Sequence, residues 1–166
     1  MKIEFSLHFE KGMPSGTAQM KGERIRYKFD PETKKTVPYI DHYIRPEVQY
    51  LSNQFKYMMK KYRPEHPSEK PIRLTIVFCF DIKRPKKLWG TYKTTRPDIE
   101  NFYKQIADLM TDLGFWKDDS QIVDLRLTKY YAEQATIHIL MEEIEDEPAG
   151  KRTTEKNGTE VLDPGR

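Results

Sequence analysis

Three acids and a lysine lie within a short stretch of this chain. Asp98 and Glu100 come first, Lys104 follows four residues on, and Asp119 sits in the run Lys117-Asp118-Asp119-Ser120-Gln121. Carboxylates are hard oxygen donors, and three of them, with water completing an octahedron, suit Mg²⁺ or Mn²⁺. An ion held in this way polarises a phosphate and activates a water for attack. A lysine one helical turn away can steady charge on the phosphate or its leaving oxygen. The same residues also have a plain structural use. Asp98 and Glu100 fall in a first helical turn, where the dipole stabilises acids. Glu100 and Lys104 are spaced for a surface ion pair, and Asp118-Asp119-Ser120 favours a turn. From residue types and spacing alone, both readings stand.

What precedes the acids bears on the choice. Residues 82–97 read IKRPKKLWGTYKTTRP, with Lys83, Arg84, Lys86, Lys87, Lys93 and Arg96, no acid, and the aromatics Trp89 and Tyr92. Cations displace the condensed counterions of a phosphate backbone, and rings stack on unpaired bases. A flexible, solvated lysine-rich loop is the plainer alternative. Lys21, Arg24, Arg26 and Lys28 add a second basic stretch. The chain has 29 Lys and Arg against 26 Asp and Glu, but 25 of those bases and only 18 of the acids precede residue 142. The body is therefore basic and the C-terminal tail acidic, a balance that suits a polyanionic partner.

The elements that must hold these residues can be read from periodicity. Ile3, Phe5, Leu7 and Phe9 alternate with polar residues, as a half-buried strand does. Residues 10–44 hold glycine, proline and many charges, with a possible ribbon around 20–29. Pro46 opens a helix whose Val48, Leu51, Phe55, Met58 and Met59 form one face. Residues 72–80 are apolar on both sides, which predicts a central strand covered on both faces. A second helix follows Pro97, with Phe102, Ile106, Leu109, Met110 and Leu113 at the helical period and Gly114 at the C-terminal cap. Two strands, 122–130 and 135–141, close the body. The expected fold class is α+β, a single domain with a mixed β-sheet and helices packed on it. It spans residues 1–144, and residues 145–166, which lack aromatics and any apolar period, read as a disordered tail.

Other chemistries find no support. One cysteine, Cys79, excludes a disulfide framework and a cysteine-built zinc site, and the histidines at 8, 42, 66 and 138 lack ligand spacing. The longest apolar run, residues 76–80, is too short to span a membrane. The first residues carry charges where an export signal needs an apolar stretch, so the expectation is a soluble intracellular protein.

The stretch RPDIENFYKQIADLMTDLGFWKDDSQIVDLRLTKYY, residues 96–131, resembles the core of the RusA family of Holliday-junction resolvases of bacteria and their phages. The resemblance rests on a Pro-Asp-x-acid-Asn-x-x-Lys run, a further helical acid at Asp108, and an Asp-Asp-Ser-Gln run entering a strand. It implies a RusA-like fold, and a Mg²⁺-dependent endonuclease, with Mn²⁺ as the alternative ion, acting on branched DNA in recombination and repair. It implies metal-binding acids at Asp98, Glu100 and Asp119, a catalytic Lys104, and Asp118 as a supporting neighbour. DNA contacts are then expected from Lys83, Arg84, Lys86, Lys87, Trp89, Lys93, Arg96 and Lys129. Two matched nicks on a four-way junction imply a homodimer, with no membrane, in the cytoplasm of a bacterial cell, possibly phage- or prophage-encoded. Glu100 departs from the family's usual Asp by one methylene, to which Mg²⁺ geometry is sensitive. A DNA-junction-binding module without catalysis, and a nuclease for other branched DNA, are the alternative readings.

Overall fold

The strand at the centre of the sheet shows how the layers form. In the computed structural model, which describes residues 1–14 and 21–145, Ile72, Leu74, Ile76, Phe78 and Phe80 are all buried on one side of β4 (Ile72–Asp81). A strand's side chains alternate faces, so these five pack against one helical layer. That layer is α1 (Pro46–Met59) and α2 (Ile99–Leu113). Phe55 and Met59 of α1, with Phe102, Ile106, Leu109 and Met110 of α2, join the strand residues in one core. Phe102 meets Phe78 and Phe80 edge-on, with ring centroids 5.8 Å apart in each case.

The other strands are β1 (Lys2–Phe9), β2 (Lys21–Asp30), β3 (Lys35–Ile44), β5 (Ile122–Ala132) and β6 (Ala135–Glu143). The main sheet runs β1-β6-β4-β5. β4 and β5 are parallel, joined through α2, while β6 is antiparallel to both β1 and β4. The result is the expected α+β domain with a mixed sheet. The strand read as covered on both faces is covered on one. The opposite side of β4 carries Arg73, Thr75, Val77, Cys79 and Asp81, and Val77 and Cys79 are only half-buried. Polar neighbours at every second position make that face compatible with water. Partial burial pushes the Cys79 thiol up from its ordinary range, as for a small half-buried side chain in an apolar setting.

The second difference lies in residues 21–44. They form a long antiparallel hairpin, paired from Lys21↔Ile44 to Asp30↔Lys35, as a sheet separate from the main one. Residues 146–166, most of the tail expected to be disordered, lie outside the described residues.

Candidate active site

The acids and the lysine are positioned by α2 and by the turn that follows it. α2 forms because its apolar residues recur at the helical period. It stops at Gly114, whose φ of 78° and ψ of 37° is the left-handed conformation that glycine adopts without steric cost. Asp98 occupies the N-cap position with extended backbone, yet its side chain makes no capping hydrogen bond. Glu100, Lys104 and Asp108 follow at intervals of four, which places them along one stripe, and all three are exposed. The Glu100–Lys104 ion pair allowed by the spacing does not form: among the described residues the side chains of Glu100, Lys104, Asp98 and Asp119 make no hydrogen bond or ion pair.

Asp119 is held differently. After Gly114 the chain buries Phe115 and Trp116, with the Trp116 indole donating to Thr111 Oγ1 at 2.7 Å. Asp118 then closes a capping box. Its carboxylate accepts from Ser120 N at 2.9 Å, and Gln121 Oε1 accepts from Asp118 N at 3.0 Å and from Lys117 N at 2.9 Å. The Gln121 amide nitrogen donates to Ser68 O and Lys70 O, both at 3.0 Å. The turn is thus clamped to the segment before β4, and Asp119 is left outside the network and exposed. The Asp118 carboxylate is engaged in this cap. The clamp by Gln121 was not legible in the sequence, where it stood only as the last letter of a motif.

Electrostatics show which groups meet. Partial burial raises the Asp108 carboxyl above its ordinary range; Lys104 opposes the rise, and the charges of Asp119 and Asp112 add to it. Tyr103 is raised chiefly by burial, then by Asp119 and Asp108. Asp119 is therefore within electrostatic reach of Tyr103 and Asp108 of α2. Asp98 and Glu100 stand about two to three turns nearer the helix start than Asp108. No three His, Cys, Asp or Glu side chains converge into a metal-holding group among the described residues, so the three acids expected to bind together are not brought into one ligand set within the chain. Their donor chemistry still fits a small hard cation, since the carboxylate oxygens of Asp98, Glu100 and Asp119 are exposed and engaged by no protein donor. Tyr103 is a member of this group that spacing alone did not single out, since it reads as one more half-buried aromatic of an amphipathic helix.

The basic stretch is not the flexible loop expected. Gly90 N donates to Tyr131 O, Tyr131 N to Thr91 O, and Lys93 N to Lys129 O, at 2.8 to 3.0 Å. These bonds lay residues 90–93 along the free edge of β5. Tyr92 stacks on Tyr130 with ring centroids 4.9 Å apart. Trp89 is half-buried, with its indole donating to Ile82 O at 2.9 Å and Lys86 over its ring. Lys93 lies over the rings of Phe80 and Tyr131 and donates to Thr95 Oγ1. Lys129, expected as a DNA contact, reaches back to Thr95 O and Pro97 O, both at 2.9 Å. Its ammonium fixes the segment that delivers Asp98. Lys83, Arg84, Lys87 and Arg96 are exposed and form no ion pair among the described residues.

The family profile described as Endodeoxyribonuclease RusA matches residues 14–142, most of the chain. The fold and the acid-bearing helix are thus those of an enzyme of the endodeoxyribonuclease class. A crossover junction endodeoxyribonuclease of Lactococcus phage r1t is 36% identical over 146 residues, covering 87% of this chain and all of the relative. An uncharacterized protein of Bacillus subtilis strain 168, YqaN, is 29% identical over 153 residues, 86% of this chain and 96% of its own. The crossover junction endodeoxyribonuclease RusA of Escherichia coli strain K12 matches at 47% over 34 residues, 20% of this chain and 28% of its own. The chain belongs to the endodeoxyribonuclease RusA family.

Proposed function

We propose that this enzyme is a Mg²⁺-dependent, structure-selective endonuclease that resolves four-way DNA junctions by paired hydrolysis of opposed phosphodiesters, as a homodimer, in recombination and repair. The reading draws its substrate from the phage r1t relative. The observation that supports it is that Asp98, Glu100, Lys104 and Asp119 stand exposed on α2 and its clamped turn with their side chains unengaged, and that Lys83, Arg84, Lys87 and Arg96 are exposed with no ion pair among the described residues. Asp98, Glu100 and Asp119 would hold the divalent cation, which supplies charge neutralisation at the scissile phosphate and a more acidic water. Lys104 offsets charge developing on the phosphate, from a helix stripe it shares with Asp108. Lys129 and Lys93 brace the approach to α2, while the four free bases follow the DNA backbone.

The test is nicking of a labelled four-way junction beside a linear duplex of the same sequence, in Mg²⁺, Mn²⁺ or EDTA. The expected outcome is paired, metal-dependent nicks on the junction alone. Asp119→Asn should abolish them while leaving junction binding intact or tighter, because a like charge is removed from the phosphate's path. Binding without cleavage under every metal would leave a binding module in place of a resolvase. Activity in Mn²⁺ that Glu100→Asp extends to Mg²⁺ would assign the metal preference to the longer side chain.

A further inference from the structure

The main sheet has two edges, and they differ. On the β5 side, residues 90–93 hydrogen-bond to Lys129 and Tyr131 and lie along the strand as a cover. On the other side, among the described residues, β1 pairs with β6 alone, so half of its N–H and C=O groups point outward along an open edge. A groove of about 870 Å³ follows that edge. Ser6, Leu7 and His8 line it together. Side chains alternate between faces, so three consecutive residues meet one hollow only across the edge of the strand. The far wall is the end of α1 and the helical turn after it, with Tyr57, Met58 and Tyr62. A second hollow of about 480 Å³ shares His8, Tyr57 and Met58 and carries the groove past Phe9 to Gly12.

The first hollow has one sign of charge. Lys60, Lys61 and Arg63 line it with no carboxylate among the described lining residues, and all three are exposed. Lys60 and Arg63 form no ion pair among the described residues, and the Lys61 ammonium lies 4.7 Å from the centre of the Tyr62 ring. The cations of the β2–β3 hairpin are engaged instead: Arg24 and Arg26 both lie on Asp41, at 2.7 and 2.9 Å, on the face opposite Ile25, Tyr27 and Ile40.

We infer that this groove binds an extended acidic segment of another protein, which adds to β1 as a further strand. Main-chain hydrogen bonds to an open edge give such a contact its affinity, and side-chain hollows give it selectivity. An apolar side chain of the guest lies over Met58 and Tyr62, and its carboxylates meet Lys60, Lys61 and Arg63. Toward Gly12 the lining holds both Glu10 and Lys11, so the acids of the guest belong at the Arg63 end. Single-stranded DNA is the poorer occupant, because its sugar-phosphate backbone offers no alternating donors and acceptors to extend a ladder. The chain's own residues 146–166 fit poorly too, since their five acids are offset by four bases. β1 and β5 are the two edges of the sheet, three strand spacings or about 14 Å apart. A guest on β1 therefore tethers the enzyme while leaving the β5 side, where Lys129 fixes the approach to Asp98, uncovered.

The probe is a display library of random octapeptides, matched to the eight residues of β1 and selected on the immobilised full chain. Selected peptides should be enriched in Asp and Glu beside apolar residues and depleted in Lys and Arg. The strongest of them, followed by fluorescence anisotropy, should lose about 10-fold in affinity with Arg63→Glu and with Lys60→Glu. Both variants should keep the wild-type melting temperature and junction nicking, since both side chains are exposed. N-methylation of alternate peptide nitrogens should abolish binding in one register and spare it in the other. In wild type, bound peptide should slow hydrogen exchange within residues 2–9, a readout that needs no variant. Selection without acidic enrichment, undiminished binding by both variants, or tolerance of both N-methyl registers would each overturn the inference. Displacement of the peptide by oligothymidine would assign the groove to DNA, and tighter binding after removal of residues 146–166 would assign it to the chain's own tail; either result overturns it. A wild type that binds the peptide but cuts no junction would overturn the resolvase reading alone.

Discussion

Replacing Gln121 by Ala isolates the device that presents Asp119. The side chain accepts two backbone N–H bonds, from Lys117 and Asp118, and donates two, to Ser68 O and Lys70 O. Each such bond contributes roughly 0.5–1.5 kcal/mol net, and the site is half-exposed, so water replaces part of what is lost. A cost of about 2–4 kcal/mol is expected, which corresponds to a drop of roughly 5–10 °C in Tm for a chain of this size. The functional effect is separate. Removing Gln121 releases the turn from the segment before β4, and a misplacement of about 1 Å can cost on the order of 100-fold in rate. Single-turnover nicking, measured well below the melting transition with enzyme in excess, should therefore fall about 10- to 100-fold with junction affinity unchanged. Gln121→Glu is the informative companion. It retains oxygens for the two N–H groups but places a carboxylate against two carbonyls, so it should be at least as damaging despite its matched size. If Gln121→Ala melts within about a degree of wild type, or nicks at the wild-type rate, the clamp does not position Asp119.

Three further outcomes follow from named residues. Gln105 is buried at 3% exposure with its amide nitrogen unpartnered, so Gln105→Met should raise the urea midpoint, by about 1 kcal/mol of stability, by relieving the desolvation of that group. The Glu143 carboxyl is held below its ordinary range by the N-terminal ammonium at 2.6 Å and then by the Ser68 hydroxyl. Its contribution is complete above the ordinary carboxylate range and is lost as pH falls through the lowered value. Stability of Glu143→Gln should accordingly match wild type in strong acid and fall short of it by up to about 1 kcal/mol at neutral pH. Deleting residues 146–166, whose composition offers no core-forming element, should leave both the melting temperature and junction nicking unchanged.

Much of the fold was legible because burial imposes period on sequence. The alternation in β1, the apolar run of β4, the two amphipathic helices and the Gly114 cap are all local signals, and each element lies within a residue or two of where its pattern places it. The hairpin was only partly legible. Its β3 strand contains Pro38 and a charge or histidine at several positions, and its apolar face is set by cross-strand partners rather than by the core, so no single-strand pattern marks it. The same limit applies to the site. The acid and lysine spacing is visible in the chain, but the role of Lys129 depends on carbonyls more than thirty residues away. The ordering of the basic loop likewise depends on an edge strand that comes after it. Long-range pairing of this kind leaves no mark on local composition.

The two-faced hairpin also constrains how this chain can vary. Faces are assigned by parity, so inserting or deleting one residue within β2 beyond the turn moves Arg24 and Arg26 onto the side now held by Ile25 and Tyr27. Changes in pairs, or within the turn at residues 31–34, preserve the assignment. Length variation among related chains should therefore be tolerated at the tip and excluded by ones from the arms, so that the hairpin can lengthen only in steps of two residues per strand.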